Sequence, residues 1–253
     1  MGGVIAYKSV NYVVRQGNKI NALNQQIVIL EDKMALMEQQ SKNEQQYSYH
    51  INDTLRILLL GNSITRHRYN ADLEWYSDWG MAASKPEKDY KHQLQKMVEA
   101  VGYKCKVENI RFSTWERNLD INIVLENDSI INCSDIIVVR IGENVIDTEH
   151  FEEATDELMS YLTSKNKQLI VTGCFWVSLE KESVLVKAAR KYNATFVSLD
   201  WIAERYDVYP QIGDTIYNIH NEPYIVTKDF IRLHPNDLGM KMIATEIFNH
   251  IQL

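Results

Sequence analysis

Cysteine and proline are scarce in this chain, which has three cysteines and four prolines among its 253 residues. Cys105, Cys133 and Cys174 form no C-x-x-C pair, so their spacing indicates neither a zinc site nor a disulfide framework. Four prolines and ten glycines also leave little room for long disordered linkers. We therefore expect a folded chain whose thiols are reduced and lie in or near the core.

Positive charge is also in short supply. Lys and Arg number 27 against 34 Asp and Glu, and the formal net charge of -7 argues against a nucleic-acid partner. No apolar run reaches the roughly 18 residues that span a bilayer, so no membrane span is expected. The opening segment MGGVIAYKSVNYVV lacks a basic leader and a small-residue cleavage site, which favours the cytoplasm. The alternative is a membrane tether, with this segment as the end of an anchor that begins upstream.

Motifs for cofactors are missing as well. The sequence has no G-x-x-x-x-G-K-[ST] and no G-x-G-x-x-G, and its histidines form no zinc-hydrolase pattern. We expect no cofactor and no metal.

What the sequence does contain begins with a heptad-like pattern near the N-terminus. Its apolar residues, three and four positions apart, are Ile20, Leu23, Ile27, Leu30, Met34 and Met37. Isoleucine at position a with leucine at position d favours a parallel dimer, although the seam covers only about two and a half heptads. The alternative is an amphipathic helix that packs on its own domain. We predict a coiled-coil helix within residues 1–48 that joins copies of the chain through residues 20–37, as a dimer or a trimer.

Residues 49–253 have a different pattern, in which short apolar segments alternate with longer amphipathic ones. The apolar segments are LRILLL (55–60), KCKVENI (104–110), DIIVVRI (135–141), QLIVTGC (168–174) and ATFVSL (194–199). They are rich in Ile, Val and Leu without strict alternation, as is typical of strands covered on both faces. The pattern predicts one α/β domain with a central parallel sheet of about five strands and helices on both faces. Its ligand site is then expected at the carboxyl ends of the strands.

Four segments carry candidate chemistry, and two of them follow strands and so lie at that edge. Ser63 follows the first strand in LLLGNSITRH, Asn144 follows the third in RIGENV, and His234 precedes the last helix in LHPNDLGM. SDWGMAAS adds Gly80, whose N–H could face the same pocket. A serine nucleophile needs a base and needs donors aimed at the oxyanion that forms. On its own, Gly-Asn-Ser is more typical of a turn or a helix N-cap.

In their order along the chain, Ser63, Gly80, Asn144 and His234, the four segments resemble the motifs of the SGNH (GDSL-like) lipases and esterases, from roughly Leu55 to the C-terminus. The resemblance implies a three-layer, flavodoxin-like sandwich. It also implies that Ser63 is the nucleophile and His234 its general base. The N–H groups of Ser63 and Gly80 and the Asn144 amide would form the oxyanion hole. The family's first motif is usually Gly-Asp-Ser, whereas this chain has Asn62 in place of the aspartate.

A second departure concerns the acid of the triad. The family usually has Asp three residues before the histidine, and this chain has Ile231 there. Asp229 is the leading substitute, provided that the loop doubles back, and a backbone carbonyl could also hold the ring. Otherwise the site is a slow dyad or not an enzyme.

Tryptophans at strand ends suggest the substrate. Trp79 and Trp176 are the candidates for stacking on a sugar ring, and packing against the sheet is the alternative. The expected function is a serine esterase, a carbohydrate deacetylase in its most specific form, that works through an acyl-enzyme. The alternatives are an O-acyltransferase on saccharides and a catalytically weak glycan-binding or scaffold protein.

Overall fold

The computed structural model describes the backbone of residues 2–42 and 47–253, and the side chains of residues 18–40 and 47–253. The side chains of the opening segment, and residues 43–46 between the first helix and the domain, therefore lie outside the described residues. The division of the chain at residue 48 stays a prediction.

Five parallel strands form the central sheet, in the order β2-β1-β3-β4-β5. They are β1 Thr54–Gly61, β2 Lys104–Arg111, β3 Ile136–Val139, β4 Gln168–Thr172 and β5 Thr195–Val197. Each overlaps one of the five apolar segments, so the predicted α/β fold and strand count are confirmed. The reason is physical, since β1, β3 and β4 are buried along nearly their whole length and need apolar side chains on both faces.

Helices surround the sheet on both sides. Their bounds are α1 Gly2–Lys42, α2 Tyr90–Ala100, α3 Ser113–Asn118, α4 Asn122–Leu125, α5 Asp128–Asn132, α6 Phe151–Thr163, α7 Leu179–Lys191, α8 Asp200–Ala203, α9 Asp229–Arg232 and α10 Asp237–Asn249. Buried residues of α2 and α10 join one apolar cluster with β1 and β2, and those of α6 and α7 join a second cluster on the opposite face. A small antiparallel hairpin, β6 Thr215–Tyr217 and β7 Pro223–Ile225, lies apart from the sheet and was not expected from the sequence.

The first helix packs on its own domain. Ile29 and Leu36 are 5% and 2% exposed, and Lys33 between them places its Nζ 2.9 Å from Glu182 Oε1 on α7. Burial lowers the pKa of Lys33, but the carboxylates of Glu182 and Asp200 raise it, and the net shift is upward. Removing one partner of a buried pair like this typically costs about 3–5 kcal/mol. The α1 helix is therefore held in place by charge as well as by apolar packing.

The heptad residues lie on a different face of α1, which is exposed to solvent. Ile20, Leu23, Ile27, Leu30, Met34 and Met37 are 49–64% exposed. The alternative prediction, that the helix packs on its own domain, is thus observed, but the residues that pack lie outside the a and d positions. The seam is left uncovered within the chain, and the coiled coil stays a prediction. Along the described residues, no helix is both long enough and apolar enough to cross a membrane.

Candidate active site

The serine and the histidine meet at the carboxyl edge of the sheet. Strand β1 ends at Gly61, and the carbonyl of Asn62 accepts the N–H groups of Thr65 and Arg66 in the turn that follows. This turn leaves Ser63 partly exposed, with its Oγ 2.9 Å from Nε2 of His234, although the two residues are 171 positions apart. This is the spacing of a nucleophile and its base.

The surroundings of His234 define its chemical state. Its Nδ1 lies 3.0 Å from the carbonyl oxygen of Phe230, which can only accept, so Nδ1 carries the proton. Nε2 is then free to accept the Ser63 hydroxyl proton. The rings of Trp176 and Phe230 each lie with their centroids 5.0 Å from the imidazole. This burial lowers the pKa of His234 to about 3, so the ring is a neutral acceptor at ordinary pH.

Asp229, predicted as the orienting acid, does not reach the histidine. Its side chain is 90% exposed, and its Oδ1 accepts from Arg232 at 2.9 Å on the surface. Ile231 is 1% exposed and packs in the core under α10. Among the described residues no carboxylate contacts His234, and the Phe230 carbonyl takes that place. This corrects the assignment of Asp229, because the short helix α9 directs the residue 229 side chain to solvent.

Asn144 lies beside the nucleophile turn. Arg140, which follows β3, donates its N–H to the carbonyl of Leu60 at 2.9 Å, so the loop after β3 runs next to the loop after β1. The Asn144 amide donates from Nδ2 to Glu116 at 2.7 Å, which occupies one of its two protons and leaves the other. The Ser63 N–H has no protein acceptor among the described residues. Both groups are thus unoccupied donors at the same edge of the sheet.

Gly80, predicted as a third oxyanion donor, is already engaged. Its N–H points to Asp89 Oδ2 at 3.4 Å, and a Cβ at this position would meet the Ile64 carbonyl at 2.6 Å. The next residue, Met81, donates its N–H to the Ser63 carbonyl. Gly80 therefore supports the nucleophile turn through close packing, and its N–H is directed away from an oxyanion.

Trp79 and Trp176 have separate environments. Trp79 is 7% exposed, packs edge-on against Trp75 and donates from Nε1 to the Ala83 carbonyl. It is a core residue and has no ring face to offer a substrate, which corrects the expectation from sequence. Trp176 is partly exposed beside His234 and donates from Nε1 to the Leu233 carbonyl at 2.8 Å.

A buried polar network under the site was missed by sequence reasoning. Glu116 from α3 accepts from Asn62, Gly142 and Asn144, and Glu143 accepts from Asn62 and Arg140. The Arg140 and Glu143 side chains are both 0% exposed. A glutamate in a short helix after β2 carries no recognisable motif, so the sequence offered no signal for it. Nowhere in the described residues does a group of three or more His, Cys, Asp or Glu form a metal-binding set.

The comparisons with known proteins give structural likeness at low sequence identity. No protein-family profile and no curated protein matches the chain. LAE5, an α/β hydrolase from the metagenome of Lake Arreo, has a TM-score of 0.49 and 15% identity over 79% of this chain and 97% of its own. TesA has a TM-score of 0.49 and 13% identity, over 77% and 96%. A protein of Slackia heliotrinireducens assigned to the SGNH hydrolases has 0.43 and 15%, over 78% and 98%.

One of these three proteins is named as an SGNH hydrolase, the family that the sequence motifs resemble.

Proposed function

We propose that the chain is a serine hydrolase of the SGNH type that acts on ester bonds. The observation that carries this proposal is the 2.9 Å contact between Ser63 Oγ and His234 Nε2, with the opposite ring nitrogen protonated. A serine that only capped a turn would need no buried, singly protonated imidazole at its hydroxyl.

The geometry supports a two-step reaction. Ser63 Oγ attacks the ester carbonyl while its proton passes to His234 Nε2, and the carbonyl oxygen becomes an oxyanion. The Ser63 N–H and the second Nδ2 proton of Asn144 stabilise that charge. When the carbon–oxygen bond to the alcohol breaks, His234 returns the proton to the departing oxygen. Water then attacks the acyl-serine with the same base, which frees the acid and restores the Ser63 hydroxyl.

In the part of the chain that the structure describes, no carboxylate contacts His234 to stabilise the imidazolium that forms in each step. In the serine-protease triad, spoiling the orienting aspartate costs about 10⁴ in turnover. The Phe230 carbonyl fixes the tautomer and the orientation of the His234 ring, but it has no full negative charge with which to stabilise the imidazolium. We therefore expect slow turnover. The same observation supports a second candidate, a glycan-binding or scaffold protein with weak residual activity.

The substrate is proposed to be a short acyl ester, an acetylated saccharide in the most specific form. Trp176 supports this choice because its partly exposed ring stands beside the base, where a sugar could stack. Trp79 no longer contributes to it. Transfer of the acyl group to a saccharide hydroxyl, the O-acyltransferase reaction, would use the same acyl-enzyme.

Hydrolysis of p-nitrophenyl acetate tests the proposal. The wild type should release p-nitrophenol above the buffer rate and Ser63→Ala should not, whereas Ser164→Ala, an exposed serine at the end of α6, should match the wild type. Equal rates for the wild type and Ser63→Ala would favour the binding protein. A repeat with a saccharide acceptor, analysed for acetylated sugar, separates transfer from hydrolysis.

Self-association through α1 is a further part of the proposed role. The uncovered heptad residues support it, since a second copy of the same helix offers a matching stripe. In this arrangement α1 uses one face to hold its own domain and the neighbouring face to pair with another copy.

A further inference from the structure

The network beneath the site contains a carboxylate whose contacts determine how Asn144 is turned. Glu116 is fully buried, and every contact of its two oxygens is with an N–H group. Oε1 accepts from the Gly142 N–H at 2.8 Å, from the Asn144 N–H at 3.2 Å and from Asn62 Nδ2 at 3.2 Å. Oε2 accepts from Asn144 Nδ2 at 2.7 Å.

An ionised carboxylate can only accept hydrogen bonds, whereas an asparagine amide has one donor end and one acceptor end. Glu116 therefore allows only one orientation of the Asn144 amide, with the nitrogen toward the carboxylate. In that orientation the second Nδ2 proton is held in a defined direction. A half-turn of the amide would replace this donor with an oxygen, which would repel an oxyanion.

We propose that Glu116 is a positioning residue for the oxyanion hole, which fixes the Asn144 amide with its nitrogen toward the carboxylate and anchors the Gly142–Asn144 turn. The effect of this role on catalysis rests on the proposed function. The orientation of the amide itself follows from the hydrogen bonds alone.

The decisive substitution is Glu116→Gln, which preserves shape while adding a donor. The glutamine oxygen is expected on the side of the three N–H groups that now share Oε1, which leaves its NH₂ facing Asn144 Nδ2. Two donors cannot bond, so the Asn144 amide turns over and bonds through its oxygen. The fold keeps its hydrogen bonds, but the oxyanion loses one donor.

Two measurements on the full chain test this role. In side-chain ¹⁵N–¹H NMR spectra, the Asn144 amide pair is assigned by its absence in Asn144→Asp, and Glu116→Gln should shift that pair. In p-nitrophenyl acetate hydrolysis, Glu116→Gln should lower kcat by about 100-fold, the cost of one oxyanion donor, with KM unchanged and Tm within a few degrees of the wild type. The matched control is Glu182→Gln, a buried glutamate that contacts Cys174 and Lys33. It should lower Tm, because the Lys33 ion pair is lost, but leave the Asn144 amide pair and kcat at wild-type values.

The outcomes separate this role from the proposed function. An Asn144 amide pair that stays in place in Glu116→Gln overturns the positioning role, whatever the enzyme does. So does a shifted pair with wild-type kcat in an active enzyme. If the wild type hydrolyses no ester and the pair still shifts, the orienting role stands and the proposed function fails.

Discussion

His234 donates its Nδ1 proton to the main-chain oxygen of Phe230 at 3.0 Å, in the place that a carboxylate occupies in a Ser-His-Asp triad. A carbonyl can set the tautomer and the ring direction, but it supplies no full negative charge. Burial then dominates the titration and lowers the pKa of His234 to about 3. The pH dependence and the response to engineered acids should both differ from those of a triad.

The first prediction concerns the pH dependence of ester hydrolysis. A base with a lowered pKa is already deprotonated above that value, so kcat/KM should stay level between about pH 5 and 8. A triad histidine with an ordinary pKa would lose activity below about pH 6.5. A pH series with p-nitrophenyl acetate measures this directly.

Glu116 is the other group that could produce an acid limb. Burial raises the pKa of Glu116, and the charge of the nearby Glu143 raises it further. A protonated Glu116 could donate a hydrogen bond as well as accept one, so it would no longer fix the Asn144 amide. An acid limb that disappears in Glu116→Gln therefore belongs to the carboxylate. An acid limb near pH 6.5 that persists in Glu116→Gln would belong to His234 and show that its pKa is not lowered.

The second prediction is that Ile231→Asp will not restore a triad. Although residue 231 is the usual aspartate position of the family that the sequence resembles, its side chain is 1% exposed in the apolar core. A carboxylate there would be buried without a partner, and we expect a loss of about 3–5 kcal/mol in the free energy of unfolding with no gain in kcat/KM. Urea denaturation and ester hydrolysis check the two parts. Ile231→Val should lose only about 1 kcal/mol. Increased activity in Ile231→Asp would show that the side chain reaches His234.

The third prediction concerns Asn62. Its Nδ2 lies 2.7 Å from Glu143 Oε2 and 3.2 Å from Glu116 Oε1, while its Oδ1 accepts from Arg140 at 2.8 Å. Asn62→Asp would place a third carboxylate against one guanidinium. At pH 7 this should reduce the free energy of unfolding by about 3–5 kcal/mol, even though the family that the sequence resembles usually has aspartate at this position.

Repulsion between the new carboxylate and those of Glu116 and Glu143 sets the sign of the pH dependence of stability. The new carboxyl would have a pKa in the folded state above its unfolded value of about 3.9, so the folded protein would bind the extra proton. The reduction in the free energy of unfolding should be complete above that raised pKa and should shrink as the pH falls toward about 4. Exposed Asn122→Asp is the control and should show no such loss. If Asn62→Asp were as stable and as active as the wild type, a third carboxylate beside Arg140 would not destabilise the network.

The sheet could be predicted from sequence because its strands are apolar along their whole buried length. LRILLL predicted β1 within one residue at each end. The β6–β7 hairpin could not be found in this way, since its two three-residue strands contain one buried residue between them and are too short to show a periodicity. The seam of α1 was visible, but the pair Ile29 and Leu36 that holds the helix on the domain lay outside it.

The site was only partly predictable for a related reason. Ser63 and His234 stand next to recognisable strand and helix ends, and the structure brings them together. The Phe230 acceptor is a backbone carbonyl, which every residue has, so no sequence pattern marks it. Glu116 acts across 28 residues on Asn144, and only the folded backbone makes them neighbours.

The fourth prediction tests self-association. The full chain should have two or three times its 29.5 kDa monomer mass by light scattering, and Leu23→Gln with Leu30→Gln should return it to the monomer. Both leucines are exposed within the chain, at 49% and 58%, so the fold should be unaffected. Val28→Gln, equally exposed but outside the a and d positions, is the control. A full chain that is monomeric at micromolar concentration would show that residues 20–37 do not join copies of the chain.

Activation of the Ser63 hydroxyl by His234 is tested most directly by covalent labelling with a fluorophosphonate probe, with the modified residue mapped by mass spectrometry. The probe phosphonylates a serine whose hydroxyl is activated by a base and whose pocket holds an oxyanion. The wild type should give a single adduct on Ser63 that disappears in Ser63→Ala and forms far more slowly in His234→Ala. An unlabelled wild type, or a label on any other residue, would contradict it.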